Sequence, residues 1–388
     1  MSEWKEVKLK TVCSDISYGY TASASKEKVG PKFLRITDIT SGKINWDTVP
    51  YCKISEKDYH KYKLSVGDIV IARTGTLGSS AIIKNDIDAV FASYLIRFRI
   101  DEKLADPFFI SYVLQSQDFK EYVNAVNSGS VQPGTNARQL GDYEFPLPPL
   151  PEQKAIAEVL SSIDDKIELL HRQNKTLEEM AMTLFRQWFI EPTKDGLPDG
   201  WEERKLKDIY IFEKGIEPGS KNYLETPSID TIRFIRVGDM LDNKADVYIK
   251  KDLAGNSICK FDDLLVSFDG TVGRVSFGLV GCYSSGIRKV YSKDEVYNKL
   301  WLKHQIFISE EIQDEINMHA EGTTILHASS SIDYLSFVFP PKEKIEEYDK
   351  FFDPIYKKIL NNKTQIQTLE KLRDTLLPKL MSGEVKII

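Results

Sequence analysis

The feature that most constrains this 388-residue chain is that it is written twice. "WKEVKL" at Trp4–Leu9 is answered by "WEERKL" at Trp201–Leu206, and "FLRITDI" at Phe33–Ile39 by "FIRVGDM" at Phe234–Met240. "GDIVIARTGTLG" at Gly67–Gly78 is answered by "DDLLVSFDGTVG" at Asp262–Gly273. From Ser93 onward the offset settles at 192: Ser93 falls on Ser285, Phe145 on Phe337, Pro148 on Pro340 and Thr183 on Thr375. That period is far longer than the roughly 20–50 residues of a solenoid repeat. The repeated unit is a globular domain with a tail, large enough to bury its own core.

Both copies have the same internal order. A β-rich front carries "GDIVIAR" or "DLLVSF", β-branched and aromatic runs bounded by turn residues. The turns "TGTLG" and "DGTVG" follow, then a helical piece, a Gly/Ser/Thr loop, and a short apolar strand, "YEFPLPP" or "LSFVFPP". Mixed in this way, strands and helices predict an α+β fold for each globular part.

The tails are helical. Ile156, Leu160, Ile163, Ile167, Leu170, Asn174, Leu177, Ala181, Leu184 and Trp188 recur at alternating steps of four and three. Shifted by 192, the stripe reads Tyr348, Phe352, Ile355, Ile359, Asn362, Ile366, Leu369, Arg373, Leu376 and Leu380, broken only at Arg373 with Leu372 beside it. This is a heptad seam, and 33 residues at about 1.5 Å each make a rod of roughly 50 Å. Two such helices in one chain are expected to pair with each other, antiparallel. In that register Asn174, in the sixth layer, meets Asn362, in the fifth of the other helix, and a mutual amide pair would set the register.

The stretch "FPLPPLPEQ" at Phe145–Gln153 contains P-x-x-P spacings, but its counterpart "FVFPPKEK" keeps only the Pro-Pro pair. What persists is strand, Pro-Pro, charge, then heptads. The prolines are therefore expected to mark a junction between a head and its helix rather than a polyproline ligand. The expected organisation is a first globular domain at 1–149, a helix and linker at 150–192, a second globular domain at 193–341 and a second helix at 342–388.

Several chemistries are missing. There is no G-x-G-x-x-G after a strand, no G-x-x-x-x-G-K-[ST] and no H-E-x-x-H. "LPDGWEERKL" mimics a PD…E-x-K nuclease pattern, but three intervening residues cannot carry the chain between neighbouring strands, and "EPTKDGLPDG" reads better as a linker. Cys13, Cys52, Cys259 and Cys282 lack metal-ligand spacing and are expected to be reduced and buried, with no metal. No run of 18 apolar residues occurs, and the opening is charged from Glu3 onward, so a cytoplasmic chain is expected. Net charge is −6, with residues 1–150 holding 19 basic against 18 acidic groups and residues 191–341 holding 18 against 25. Any contact with nucleic acid must then come from local patches or from a partner.

The paired "W-x-x-x-x-L" openings, "GDIVIARTGTLG", "FPLPPLPEQKAIAEVLSSIDDKIELL" and the closing "LLPKLMSGEVKI" together resemble the specificity (S) subunit of type I restriction-modification systems. The resemblance spans nearly the whole chain, twice, in the family's order. It implies two target recognition domains joined by two long helices that form an antiparallel coiled coil. It implies no catalysis and no cofactor in this chain. S-adenosylmethionine, ATP and Mg would belong to partners: two modification subunits that methylate adenine, and restriction subunits that translocate and cleave double-stranded DNA. "PPKEKIEEY" lacks the Glu-Gln pair of "PPLPEQKAI", so the two helix starts need not make identical contacts.

Base readout favours polar side chains on exposed loops. Candidates in the first copy are Arg73, Thr74 and Thr76 in the turn and Gln132, Asn136 and Arg138 in the late loop. In the second they are Asp269, Thr271 and Arg274, then Thr323, Thr324 and His327. Asp269 could accept from cytosine N4. Arg35 and Arg236 are expected to pair with Asp38 and Asp239, and Tyr18, Phe91, Phe109 and Tyr112 to be core rather than stacking platforms. The alternative is an intracellular coiled-coil scaffold with two protein-binding heads, but a scaffold has no need of two divergent versions of the same polar loops.

Overall fold

The computed structural model describes residues 4–40, 42–127, 134–242, 247–322 and 326–387. The chain forms two compact units, Met1–Lys166 with Leu369–Ile388, and Ile167–Thr368. Each unit therefore contains one head, the start of its own long helix and the end of the other.

In the first unit the opening strand Lys5–Lys8 pairs antiparallel with the closing strand Glu144–Leu147, Val7 opposite Phe145. Between them lies a four-stranded antiparallel sheet ordered Cys13–Tyr18, Leu95–Ile100, Ile69–Ala72, Ser80–Ile82. A parallel pair, Lys32–Leu34 with Ala89–Phe91, stands beside it. The run "IVIA" is buried throughout because both faces of its strand are covered. Ile69 and Ile71 join a core with Phe98, Phe109, Phe119, Ile156, Leu160 and Leu380. Val70 and Ala72, on the opposite face, join Leu34 and Phe91.

The second unit repeats this plan. Glu202–Lys205 pairs with Ser336–Phe339. The antiparallel sheet runs Ile211–Lys214, Ile287–Tyr291, Leu264–Ser267, Val275–Ser276, and Thr231–Ile235 lies parallel to Gly281–Tyr283. Its core gathers Trp301, Phe307, Phe185, Phe189, Phe352 and Ile359. Arg35 binds Asp38 through Nε and Nη2 at 3.0 and 2.9 Å, and Arg236 binds Asp239 the same way at 2.9 and 3.2 Å.

The long helices are Leu150–Phe185 and Lys342–Met381. Each starts two residues or so after a closing strand, with the prolines between. Gln153 is buried at the first start: its Oε1 accepts from the Asp106 backbone N–H at 2.8 Å, and its Nε2 donates to the Pro148 carbonyl at 2.8 Å. The equivalent Ile345 is buried as hydrocarbon, so the two starts differ as their sequences do. Within the second unit Asn362 Nδ2 donates to Asn174 Oδ1 at 2.9 Å, and Trp188 stacks on Tyr348 with centroids 4.8 Å apart. Within the first, Arg373, the break in the stripe, donates from Nη1 to Asp164 Oδ1 at 3.1 Å, while Leu372 faces solvent. The layer is completed by an ion pair rather than by the neighbouring leucine.

Candidate nucleic-acid interface

The turn after each central strand is shaped by glycine. Gly78 and Gly273 both take a φ of 76°, a left-handed conformation costly to any residue with a Cβ. At Gly78 a Cβ would also press on Val123, 3.1 Å away. The preceding residues are thereby held out at the sheet edge.

In the first unit this turn meets the late loop around Tyr18. The Arg73 guanidinium lies 5.0 Å from the Tyr18 ring centroid, and the Tyr18 hydroxyl accepts from the Ala137 backbone N–H at 3.0 Å. Thr135 N–H donates to the Arg73 carbonyl at 2.9 Å. Arg73, Thr74, Thr76, Asn136 and Arg138 are thus carried by two adjoining segments. Arg73 and Thr74 are half-buried; Thr76, Asn136 and Arg138 are exposed. Asn136 is partly committed, since its Oδ1 caps the helix Ala137–Gly141 by accepting from Gln139 N–H at 2.9 Å. Gln132 lies outside the described residues.

Phe91, Phe109 and Tyr112 are buried as expected, but Tyr18 is not core. It is 41% exposed and supports Arg73, because it closes an edge strand at the point where turn and loop converge. Tyr94, 60% exposed, accepts at its carbonyl from the Arg73 N–H at 3.1 Å. Nothing in "FASYLIRFRI" separates it from its buried neighbours, so the sequence alone misses it.

In the second unit the matching turn forms one wall of an open cleft of about 610 Å³, lined by Lys214, Glu217, Asp269, Ser285, Arg288 and His327 among others. Asp269–Gly270 pairs antiparallel with Leu326–His327. Asp269 Oδ1 lies 2.8 Å from His327 Nδ1, and Oδ2 lies 3.9 Å from Arg288 Nη2. The expected lone acceptor is therefore already engaged, and an Asp–His pair faces the cleft instead. The buried Arg288 donates to the Ser285 carbonyl at 2.7 Å and to Ser329 Oγ at 2.8 Å. Its guanidinium pKa is drawn downward by burial, opposed by the charge of Asp269. Arg288 was missed because it follows Ile287 in a strand whose first-copy counterpart, Ile96, is apolar. Thr271 is exposed beside the cleft turn, whereas Arg274 is tied down, its Nη1 donating to the Val237 carbonyl at 2.9 Å. Thr323 and Thr324 lie outside the described residues.

The two surfaces offer hydrogen-bond donors, acceptors and an aromatic face, the chemistry that base edges and phosphates require. Among the described residues no group of three or more His, Cys, Asp or Glu side chains is placed to hold a metal, and no helix is long and apolar enough to cross a membrane.

Comparison with known proteins points the same way. The family model described as type I restriction modification DNA specificity domain matches residues 1–179 and again 198–371. The type I restriction enzyme MjaIX specificity subunit of Methanocaldococcus jannaschii is 26% identical, over 99% of this chain and 94% of that protein. The HindI specificity subunit of Haemophilus influenzae is 25% identical over 99% of this chain and all of its own length, 100%. Among solved structures, the type I restriction-modification S subunit from M. genitalium superposes with a TM-score of 0.58 at 16% identity, covering 97% of this chain and 96% of that one, a likeness of fold.

Proposed function

Because the chain belongs to the family of type I restriction modification DNA specificity domains and carries two of them, we propose that it reads a bipartite, asymmetric DNA target, one half with each domain. In the same reading it acts in the cytoplasm and holds two modification subunits in place for adenine methylation. Catalysis and its cofactors, S-adenosylmethionine, ATP and Mg, belong to those subunits and to restriction subunits.

The observation that carries the proposal is the contrast between equivalent surfaces. One scaffold, built twice, presents Arg73 over the Tyr18 ring in the first unit and the Asp269–His327 pair beside Arg288 in the second. Two readers with unlike polar groups require unlike half-sites. The first copy's readout falls to Arg73, Thr74, Thr76, Gln132, Asn136 and Arg138, the second's to Asp269, Thr271, Arg274, Thr323, Thr324 and His327.

The test is co-expression with the modification subunits and single-molecule sequencing for methyladenine. A two-part motif with an unread gap is expected. Arg73→Ala should relax or abolish only one half-site and His327→Ala only the other, a base contact being worth about 1–3 kcal/mol of discrimination. A competent modification subunit that leaves no methyladenine would refute the proposal, and the scaffold reading would then take its place.

A further inference from the structure

We infer that the seam of the long helices is built to pair the unlike halves of this chain and to reject pairing of like halves. The inference does not depend on what the heads bind.

The argument starts from an offset. The repeat places residue i of the first half on residue i + 192 of the second. Asn174 therefore corresponds to Ile366, and Asn362 to Leu170. The two asparagines are not equivalent positions, yet they meet: Asn362 Nδ2 donates to Asn174 Oδ1 at 2.9 Å, Asn362 being 0% and Asn174 7% exposed. In the antiparallel register this contact defines, two copies of Leu150–Phe185 would bring each Asn174 against Leu170 of the other copy. Two copies of Lys342–Met381 would bring each Asn362 against Ile366. Leu170 and Ile366 are themselves buried. Every like pair thus buries two amides against hydrocarbon, where an unmade hydrogen bond goes uncompensated. A single polar residue at a core heptad position selects partner and register by this means.

A second layer, in the other unit, obeys the same rule. Asp164 accepts from Arg373 Nη1 at 3.1 Å and from the Tyr112 hydroxyl at 2.8 Å. By the repeat, Asp164 corresponds to Tyr356 and Arg373 to Ala181. Like pairing would set Asp164 against Ala181, leaving it the Tyr112 hydroxyl of its own half but no cation. It would set Arg373 against Tyr356, which is buried and already bonded to His304 and Gln305. The cross-seam amide bond and the cross-seam ion pair both form only when first half meets second half, and Asn362 Oδ1 is then the one buried seam amide atom left without a partner among the described residues. The inference rests on these two polar layers, the first of which also brings Gln173 Oε1 to 3.5 Å from Asn362 Nδ2.

The experiment uses the full chain with a protease site placed in the linker between Lys194 and Gly200. The folded protein is cut, unfolded in guanidinium, refolded by dilution and weighed by native mass spectrometry. Unlike pairs should exceed like pairs by more than about tenfold, a preference of about 1.4 kcal/mol. Like pairs should rise at least tenfold when Asn174→Leu is combined with Asn362→Ile. A statistical mixture from the unaltered chain would overturn the inference. A cut chain that does not refold is decided by a double-mutant cycle in the uncut protein. Either single substitution should lower Tm and the pair restore it, whereas additive losses would overturn the inference.

Discussion

The imidazole of His304 is buried against Phe277 and shares a 2.6 Å hydrogen bond with the Tyr356 hydroxyl. Burial first, and then the positive charge of Lys363, pulls its pKa down to about 3. Unfolded, it would take a proton below about pH 6.5. Between those values the unfolded chain binds more protons, so stability falls as pH falls, by up to about 1.4 kcal/mol per pH unit. Melting curves from pH 7 to 4 should show this slope, and His304→Gln should flatten it. The cysteines are shielded similarly: burial pushes Cys52 and Cys282 up to about 11 and Cys259 to about 12. Iodoacetamide at pH 8 should label these three only after denaturation, since the thiolate is the nucleophile. At this scale the Arg35–Asp38 and Arg236–Asp239 pairs were legible, because partners three residues apart are set by local backbone. The engagement of Asp269 was not, because His327 lies 58 residues away.

Among the elements, the start of the first long helix hangs on one buried side chain. Gln153→Ile would copy the residue of the second start but strand the Asp106 N–H and the Pro148 carbonyl. The expected loss is about 1–3 kcal/mol for each group left buried without a partner, read as a lower Tm, with Gln153→Glu recovering at most the Asp106 bond, since an ionised carboxylate accepts but cannot donate to the carbonyl. The helices themselves were plain in the heptad spacing, and the strands "GDIVIAR" and "DLLVSF" in their β-branched runs. The composition of the seam was less plain. Arg373 breaks the apolar stripe, and its partner, Asp164, lies 209 residues earlier. Tyr18 belongs to the same class: alternation along a strand says which faces differ, not which face a later loop will cover.

For the molecule as a whole, the proposed function makes helix length a ruler. Inserting four residues into both helices adds roughly 6 Å along them, and the unread gap of the methylated motif should widen by about one or two base pairs at roughly 3.4 Å each. An unchanged gap would end the ruler idea. The net charge of −6 places affinity in local patches and partners rather than in a general basic surface. Duplication, α+β heads and paired heptad helices were all determined by the sequence itself, because periodicity and repetition are properties of the chain read in order. Antiparallel pairing, in which each compact unit takes the end of the other half's helix, follows from the same seam, whereas only the tertiary structure decided that Arg373 fills its layer with Asp164. It alone decided, too, that polar groups of each turn meet partners from a distant loop. Those contacts join residues far apart in the chain, and no local pattern encodes which polar side chain will find which.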